Sequence, residues 1–322
     1  MKPLRIFFTI IFVALLSACD TQDTATWLES KYRDETSQFI TIDGNRVHYR
    51  DEGLNDQHAG SAMDQEVIIL LHGTGSSLHT WDQWVAKLTD QYRVIRMDLP
   101  GFGLTGPDRS HRYEVADDVA FLSAFLKALD IQKAHMVGSS LGGRIAWQYA
   151  LDFPQQVKSL TLMNALGYPQ ASWPPPIEMG QWPIVGTLME YVSPRFMFEV
   201  GLKEVYYDST LVDDELVDRY FELSRYPGNL GAFPKRVKAK LDQDSELIPQ
   251  IVVPTLILWG ESDIYFPVVN AHRFNQDIPG SQLQTYTNVG HLPMEEVPQI
   301  SVGHFYKFIR GLHLDYDGTA SR

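Results

Sequence analysis

The chain has 322 residues, which is enough for one large domain with an insertion but few for two independent domains. Its 40 acidic and 27 basic residues give a formal net charge of −13, which argues against nucleic acid and anionic surfaces as partners. A hydrophobic content of 44% and a charged content of 21% are typical of a soluble globular protein and exclude a disordered chain or a multi-span membrane protein.

The first residues, 1–18, have the layout of a secretory signal peptide. Lys2 and Arg5 precede an apolar run from Ile6 to Leu16, which is too short to span a bilayer as a permanent helix. The run ends in Leu16-Ser17-Ala18-Cys19, which resembles a bacterial lipobox. Cys19, the only cysteine, would then be lipidated and become the new N-terminus. A secreted protein with a coincidental cysteine is the alternative.

Lipidation would anchor the mature chain to a membrane, provided that more than one acyl chain is attached. Asp20, next to Cys19, resembles the inner-membrane retention signal of enteric lipoproteins. We expect a lipid-anchored envelope protein that faces the periplasm, with the inner membrane favoured and a secreted or periplasmic protein as the alternative. Cleavage leaves 25 basic against 40 acidic residues, so lipid rather than charge would hold the chain there. Residues 19–37 are predicted to be a tether and a surface helix from Ala25 to Arg33, capped by Thr24 or Thr26.

Residues 39–49 alternate apolar and polar side chains around Asp43-Gly44, which predicts a β-hairpin at the start of a sheet. His48 is expected to be a half-buried strand residue. The apolar run from Val67 to Leu71 predicts a strand covered on both faces. It ends in the turn His72-Gly73-Thr74-Gly75, where His72 is expected to brace the backbone.

Residues 98–106 contain G-x-G-x-x-G, which in dinucleotide-binding proteins opens a helix whose N-terminus meets the pyrophosphate. Here Pro107 and a polar stretch follow, and no helical pattern begins before Tyr113. Nucleotide binding is therefore rejected, and Asp98 is expected to brace the loop. Apolar spacing then predicts a helix over Val115–Leu129.

The apolar run His135–Val137 stops at a G-x-S-x-G centred on Ser140, and a helical pattern begins immediately afterwards. A strand that turns into a helix within two residues forces the central residue into a cramped conformation. The residues two positions before and after it must have almost no side chain, and Gly138 and Gly142 meet that requirement. The Ser140 hydroxyl is predicted to lie at the positive end of the new helix, where a developing negative charge is stabilised.

Three later strands are predicted, and their ends differ chemically. The strand at Leu160–Met163 ends at Asn164, which is not a carboxylate, so an acid must come from a later strand. The other two strands each lead to a polar motif: Val253–Trp259 to Gly260-Glu261-Ser262-Asp263, and Leu283–Tyr286 to Gly290-His291. A final helix is predicted over Val297–Ile309.

Four separated motifs together resemble the α/β-hydrolase family over residues 39–310: His72-Gly73-Thr74-Gly75, Asp98-Leu99-Pro100-Gly101, the G-x-S-x-G, and the pair Gly260–Asp263 with Gly290-His291. The resemblance implies an α/β fold with a mostly parallel eight-stranded sheet, helices on both faces and a mainly helical lid after strand 6. Residues 38–164 and 252–322 would form the core and residues 165–251 the lid. The tryptophans, methionines and prolines of that lid would wall an apolar pocket over Ser140.

The resemblance also implies a role for each site residue. Ser140 would be the nucleophile, His291 the base and Asp263 the acid, with Glu261 as the fallback acid. The backbone amides of Thr74 and Leu141 would form the oxyanion hole. The implied reaction is acyl transfer through an acyl-enzyme, with no metal and no organic cofactor.

The expected substrate is a small to medium carboxylic ester with an apolar acyl or alcohol group. The same triad in this family also serves carbon–carbon bond hydrolysis, lactones, thioesters, amides and perhydrolysis, and these alternatives stay open. Dehalogenase and epoxide hydrolase relatives carry Asp where this chain has Ser140 and are disfavoured. The rival from another class is a non-catalytic lipoprotein that binds an apolar ligand. Both a monomer and a dimer are compatible with the sequence.

Overall fold

A computed structural model of the protein describes residues 22–53, 66–170, 172–239 and 244–316. The predicted signal peptide, the lipobox Cys19 and the neighbouring Asp20 lie outside the described residues. No helix among those described combines the length and the hydropathy needed to cross a membrane.

Eight strands form one sheet, in chain order β1 (Ser37–Ile42), β2 (Asn45–Gly53), β3 (Val67–Leu71), β4 (Arg93–Met97), β5 (Ala134–Ser139), β6 (Val157–Met163), β7 (Thr255–Gly260) and β8 (Gln282–Tyr286). Their spatial order is β1-β2-β4-β3-β5-β6-β7-β8. The pairs β1–β2 and β2–β4 are antiparallel, and every other neighbouring pair is parallel. The predicted α/β fold with a mostly parallel sheet is confirmed.

The helices described are α1 (22–32), α2 (Asp82–Leu88), α3 (Val115–Ala128), α4 (Leu141–Asp152), α5 (Pro175–Gln181), α6 (Pro183–Met189), α7 (Arg195–Val205), α8 (Asp214–Ser224), α9 (Asn229–Arg236), α10 (Val269–Asp277), α11 (Pro293–Glu296) and α12 (Pro298–Tyr316). Helices α5 to α9 lie between β6 and β7, so the insertion after strand 6 is mainly helical, as predicted. We call residues 165–251 the lid segment; its exact limits stay a prediction.

The sheet is covered on both faces, because alternate residues of the central strand β3 join different apolar cores. Ile69 and Leu71 pack in a core with side chains of α3, α4 and α10. Ile68 and Leu70 pack in a second core with side chains of α2 and α12. All of β3 is buried, and each such side chain contributes roughly 1.5–3 kcal/mol relative to an exposed one. This two-sided packing fixes the carboxyl edge of the sheet, from which the site residues extend.

The N-terminal part agrees with prediction in its hairpin and differs in two details. Strands β1 and β2 join through Asp43 and Gly44, both at positive φ, as a tight hairpin turn requires. Helix α1 already includes Gln22, so the predicted capping by Thr24 or Thr26 is wrong, and the Thr26 hydroxyl donates to the Gln22 carbonyl instead. His48 is fully buried rather than half-buried, because its ring turns inward to bond Asp98.

Candidate active site

Ser140 joins β5 to α4 in a strained backbone conformation. Its φ of 53° and ψ of −116° lie outside the regions that a residue with a side chain ordinarily adopts. Three backbone hydrogen bonds hold it there: its N–H donates to the Met163 carbonyl, and its carbonyl accepts from Arg144 and Leu166. These bonds to the neighbouring backbone hold Ser140 in its strained conformation. The predicted sharp turn therefore forms, and it presents the hydroxyl at the edge of the sheet.

The glycines around Ser140 allow backbone segments to touch. A Cβ at Gly138 would lie 2.2 Å from the Gly142 carbonyl oxygen, and one at Gly142 would lie 2.2 Å from the Leu71 carbonyl oxygen. A Cβ at Gly73 would lie 2.9 Å from the Ser140 Cβ. The turn after β3 therefore passes directly beside Ser140, as an oxyanion-binding turn must.

Asp263 and His291, which come from the turns after β7 and β8, form a buried pair. His291 Nδ1 donates to Asp263 Oδ2 across 2.7 Å. Asp263 Oδ1 accepts from the backbone N–H groups of Tyr265 and Phe266 at 2.8 and 3.1 Å. These backbone donors fix the orientation of the carboxylate toward the ring.

Glu261, the fallback acid, lies elsewhere. Its side chain is exposed, and its carboxylate oxygens accept from the hydroxyls of Thr285 and Thr287 at 2.7 and 2.9 Å. Of the two candidate acids, only Asp263 contacts His291.

Asn164 is a site residue that sequence reasoning passed over. It follows β6, is fully buried, and donates from Nδ2 to Asp263 Oδ2 at 2.6 Å. Its own Oδ1 accepts from the Gly260 N–H at 3.1 Å. The sequence shows only that Asn164 follows a predicted strand; the parallel pairing of β6 with β7, which brings Asn164 and Asp263 to one edge of the sheet, is decided by the tertiary structure.

Ser140 and His291 line one cavity of about 230 Å³ beneath the lid segment. Most of its wall is apolar and comes from the lid segment, including Ile177, Met189, Met197, Phe198, Leu230 and Phe233. The residues that line it include no Lys, Arg, Asp or Glu. Among the described residues, Ser140 Oγ and His291 line the same cavity but make no hydrogen bond to each other. Hydrogen bonds between catalytic groups are often long without substrate and shorten when it binds.

The two predicted oxyanion donors come from the turn after β3 and from the start of α4. Thr74 lines the same cavity. Leu141 is the first residue of α4, where a backbone N–H has no acceptor within the helix. The role of the Thr74 and Leu141 amides as oxyanion donors stays a prediction.

His72 and Asp98 brace this region, as predicted. The His72 ring donates from Nδ1 to the Gly73 carbonyl and accepts at Nε2 from the Leu99 N–H. Burial lowers the pKa of His72 to about 4, so the ring is neutral near pH 7. Asp98 accepts from the backbone N–H groups of Leu78 and Leu104, both at 2.8 Å.

The loop that carries His291 is also bonded to the lid segment. The His291 N–H donates to the Val205 carbonyl at 2.8 Å, and the Glu296 carboxylate accepts from the N–H groups of Gly290 and Tyr207. Burial raises the pKa of Glu296. The lid segment and the proposed base are thus one hydrogen-bonded unit.

Within the described ranges, no cluster of three or more His, Cys, Asp or Glu side chains could hold a metal ion.

Comparison with known proteins also indicates the α/β-hydrolase fold. The model of the α/β hydrolase fold family matches residues 66–187. The 2-hydroxy-6-oxo-2,4-heptadienoate hydrolase of Pseudomonas putida is 32% identical over 261 residues, covering 74% of this chain and 85% of that protein. An uncharacterised hydrolase of Bacillus subtilis is 28% identical over 279 residues, covering 84% and 97%. The solved meta-cleavage product hydrolase of Pseudomonas fluorescens IP01 superposes with a TM-score of 0.72 at 26% identity, covering 85% and 97%.

Proposed function

The chain belongs to the α/β-hydrolase family of enzymes, and from that premise we propose that it is a serine hydrolase of uncharged, largely apolar carboxylic esters. The single observation that carries the proposal is that Ser140 and His291 share one cavity whose lining includes no Lys, Arg, Asp or Glu. The hydrogen-bonded Asp263 behind His291 supports the same proposal.

In the proposed mechanism, Ser140 Oγ attacks the ester carbonyl carbon while His291 Nε2 takes the hydroxyl proton. Asp263 holds the imidazole in the tautomer with a proton on Nδ1 and stabilises the imidazolium that forms. The amides of Thr74 and Leu141 donate to the developing oxyanion. The alcohol leaves with the proton from His291, and an acyl-enzyme remains. Water then attacks the acyl carbon by the reverse proton path and releases the acid.

The cavity lining argues for a substrate without charge near the reacting carbonyl. An ionised group moved from water into an apolar site costs several kcal/mol or more unless it finds a partner there. The lining offers no Lys or Arg to pair with an anion and no Asp or Glu to pair with a cation. A neutral ester with an alkyl or aryl group meets no such cost, and its apolar part gains roughly 25 cal/mol for each Å² removed from water.

Carbon–carbon bond hydrolysis is the second candidate, and the relatives favour it. The Pseudomonas putida protein, at 32% identity, is named for cleaving a 2-hydroxy-6-oxo-dienoate, and the solved Pseudomonas fluorescens protein is a meta-cleavage product hydrolase. Such a substrate carries a carboxylate, and the lining of this cavity offers it no Lys or Arg. This is why we place the ester first.

A substrate panel separates the candidates. Wild type and Ser140→Ala would be assayed with p-nitrophenyl esters of increasing acyl length, a lactone, a thioester and a 2-hydroxy-6-oxo-dienoate. We expect the highest kcat/KM for a neutral apolar ester. Faster turnover of the dienoate than of every ester would establish the second candidate instead. If nothing is turned over and a fluorophosphonate probe does not label wild type, the chain is a non-catalytic ligand-binding protein.

We also propose that Cys19 carries lipid and anchors the enzyme in the bacterial envelope, facing the periplasm, with the inner membrane favoured. The sequence Leu16–Cys19 supports this proposal. Metabolic labelling with a fatty-acid analogue should label wild type and not Cys19→Ser. Label that persists in Cys19→Ser would contradict the proposal.

A further inference from the structure

The lid segment exposes a row of large apolar side chains. Six of them, between 54% and 84% exposed, form what we call the lid apolar face: Ile184, Leu188, Tyr191, Val192, Phe196 and Val200. The residues at 184, 188, 192, 196 and 200 recur every fourth position through α6, the turn and α7. Within each helix, residues four apart lie on the same side. Soluble proteins rarely leave so many large apolar side chains exposed within one short segment without a binding role.

The next position of the same repeat, turned by about 100° around a helix, faces the substrate cavity. Met189, Ser193, Met197 and Gly201 line the cavity that holds Ser140. Helices α6 and α7 therefore carry both residues of the cavity wall and residues of the lid apolar face. Whatever binds this face touches the wall of the substrate site.

Charge and residue type at this face match a lipid bilayer. Residues 182–192 contain a single charged side chain, Glu190, in a chain of which 21% is charged. Trp182 and Tyr191 lie at the same surface and are both more than half exposed. Their amphipathic rings suit the level of lipid headgroups. Over the whole face, residues 182–205, Arg195 and Lys203 stand against Glu190, Glu199 and Glu204, so its net charge is −1 in a chain of net charge −13. Anionic lipids would therefore repel this face less than the rest of the acidic surface.

The start of the described chain is attached to the lid segment. Helix α1 packs on α8 of the lid segment: Leu28 shares an apolar cluster with Leu223, and Lys31 Nζ and Tyr32 OH both donate to Glu222 Oε2 at 2.6 Å. Cys19 precedes the first described residue by only three positions. Three residues reach at most about 10 Å. A lipid on Cys19 would therefore attach close to a helix that is docked on the lid segment.

We propose that the lid apolar face docks on the lipid bilayer and that substrate enters the cavity from the membrane. Entry of substrate from the membrane rests on the proposed hydrolase activity, and it narrows the substrate class to a membrane-soluble ester. The docking itself is independent of any activity.

Fluorescence at single positions tests the docking. Because Cys19 is the only cysteine, Cys19→Ser makes the chain cysteine-free, and Leu188→Cys or Val252→Cys then carries an environment-sensitive fluorophore. Val252 is 80% exposed but precedes β7, at the opposite edge of the sheet from the site. Phosphatidylcholine vesicles should shift the emission to the blue at position 188 and not at position 252. No shift, or an equal shift at both positions, overturns the proposal. A shift at 188 that depends on protein concentration without vesicles also overturns it, because a second copy then covers the face.

A matched pair of variants tests substrate entry. Ile184→Ser, Leu188→Ser and Val192→Ser together should lower the hydrolysis of a vesicle-borne ester about tenfold or more while leaving a water-soluble ester unchanged, since membrane affinity scales with buried apolar area. Val252→Ser should change neither rate. Equal effects on both esters overturn entry from the membrane. If wild type hydrolyses no ester, the proposed function fails, and the fluorescence result alone still decides the docking.

Discussion

The side-chain amide of Asn164 donates to the same oxygen of Asp263 that accepts from the His291 ring. Because the other end of the amide accepts from the Gly260 N–H, the Asn164 side chain cannot rotate without losing both bonds. Its φ of 42° is a conformation that Asn tolerates better than most residues. Asn164 thus fastens the end of β6 to the turn after β7 and positions the proposed acid.

Replacing Asn164 should therefore weaken catalysis through Asp263 rather than through substrate binding. For Asn164→Ala we expect kcat to fall about 10- to 100-fold with little change in KM, because removing a positioning bond costs roughly 1.5–3 kcal/mol. Asn164→Asp, which keeps the shape but brings a second carboxylate to Asp263, should in addition move the pH–rate profile. Kinetics across pH measure both. A kcat equal to that of wild type in Asn164→Ala would refute the positioning role.

The proposed triad predicts a graded loss of turnover. Ser140→Ala and His291→Ala should each lower kcat by on the order of 10⁶, and Asp263→Asn by on the order of 10⁴. Glu261→Gln is the matched control, since it removes a carboxylate from the same turn that contacts threonines instead of His291. Its kcat should stay within about twofold of wild type. A large loss in Glu261→Gln with an active Asp263→Asn would reverse the assignment of the acid.

The buried His72 should make the free energy of unfolding depend on pH. Burial lowers the pKa of His72 to about 4 in the folded state, below the unfolded value near 6.5. Between these two values the unfolded chain binds the extra proton and the folded chain does not. The free energy of unfolding should therefore fall as pH drops from about 6.5 to 4, by up to roughly 3 kcal/mol from this residue, and its contribution should level off below pH 4. Urea unfolding at a series of pH values, with NMR titration of the ring, measures this. A His72 ring that titrates near 6.5 would contradict it.

Two glycine-to-alanine substitutions should have opposite effects. In Gly142→Ala the new Cβ would meet the Leu71 carbonyl oxygen at 2.2 Å, so the strand and helix must separate. We expect a loss of about 3 kcal/mol or more in stability and a loss of activity. In Gly303→Ala, within α12, a Cβ meets no atom within 4 Å, so the better helix propensity should raise stability by about 1 kcal/mol. Thermal unfolding of the pair measures both, and a destabilised Gly303→Ala would contradict this reasoning.

Glu295 should hold the lid segment closed. Its carboxylate accepts from Tyr206 OH at 2.7 Å and from Arg219 and Tyr220 OH, both at 3.2 Å, all of them in the lid segment. Glu295→Ala removes this acceptor from the buried Tyr206 hydroxyl, at a cost of about 1–3 kcal/mol, and from the half-buried Arg219 and Tyr220, for which the loss is smaller.

For Glu295→Ala we therefore expect faster hydrogen exchange in α8 and a raised KM, while β3 and β5 stay protected. Glu215→Ala, an exposed residue of the same helix, should leave both measurements as in wild type. Exchange in α8 that is equally slow in Glu295→Ala and wild type would show that other contacts hold the lid segment.

Much of this protein follows from local sequence patterns. A short apolar run that is followed at once by glycines predicts a buried strand and a tight turn, so β3, β5 and the conformation of Ser140 follow from residues adjacent in the chain. The Asp43-Gly44 turn and the rejection of a nucleotide site at residues 98–106 rest on the same kind of local chemistry. Element boundaries, the cap of α1 and the burial of His48 differ from what the local pattern predicts, because contacts with distant residues decide them.

Tertiary structure alone decided which distant groups meet. That Asp263 rather than Glu261 contacts His291 depends on which way one short turn exits β7. That Asn164 contacts Asp263 depends on the pairing of β6 with β7, across 99 residues of chain. The attachment of the lid segment to Glu295, and the face it leaves exposed, likewise arise from packing between separate helices. Side-chain contacts of this kind depend on the relative placement of whole elements, which hydrophobic periodicity within any one of them does not encode.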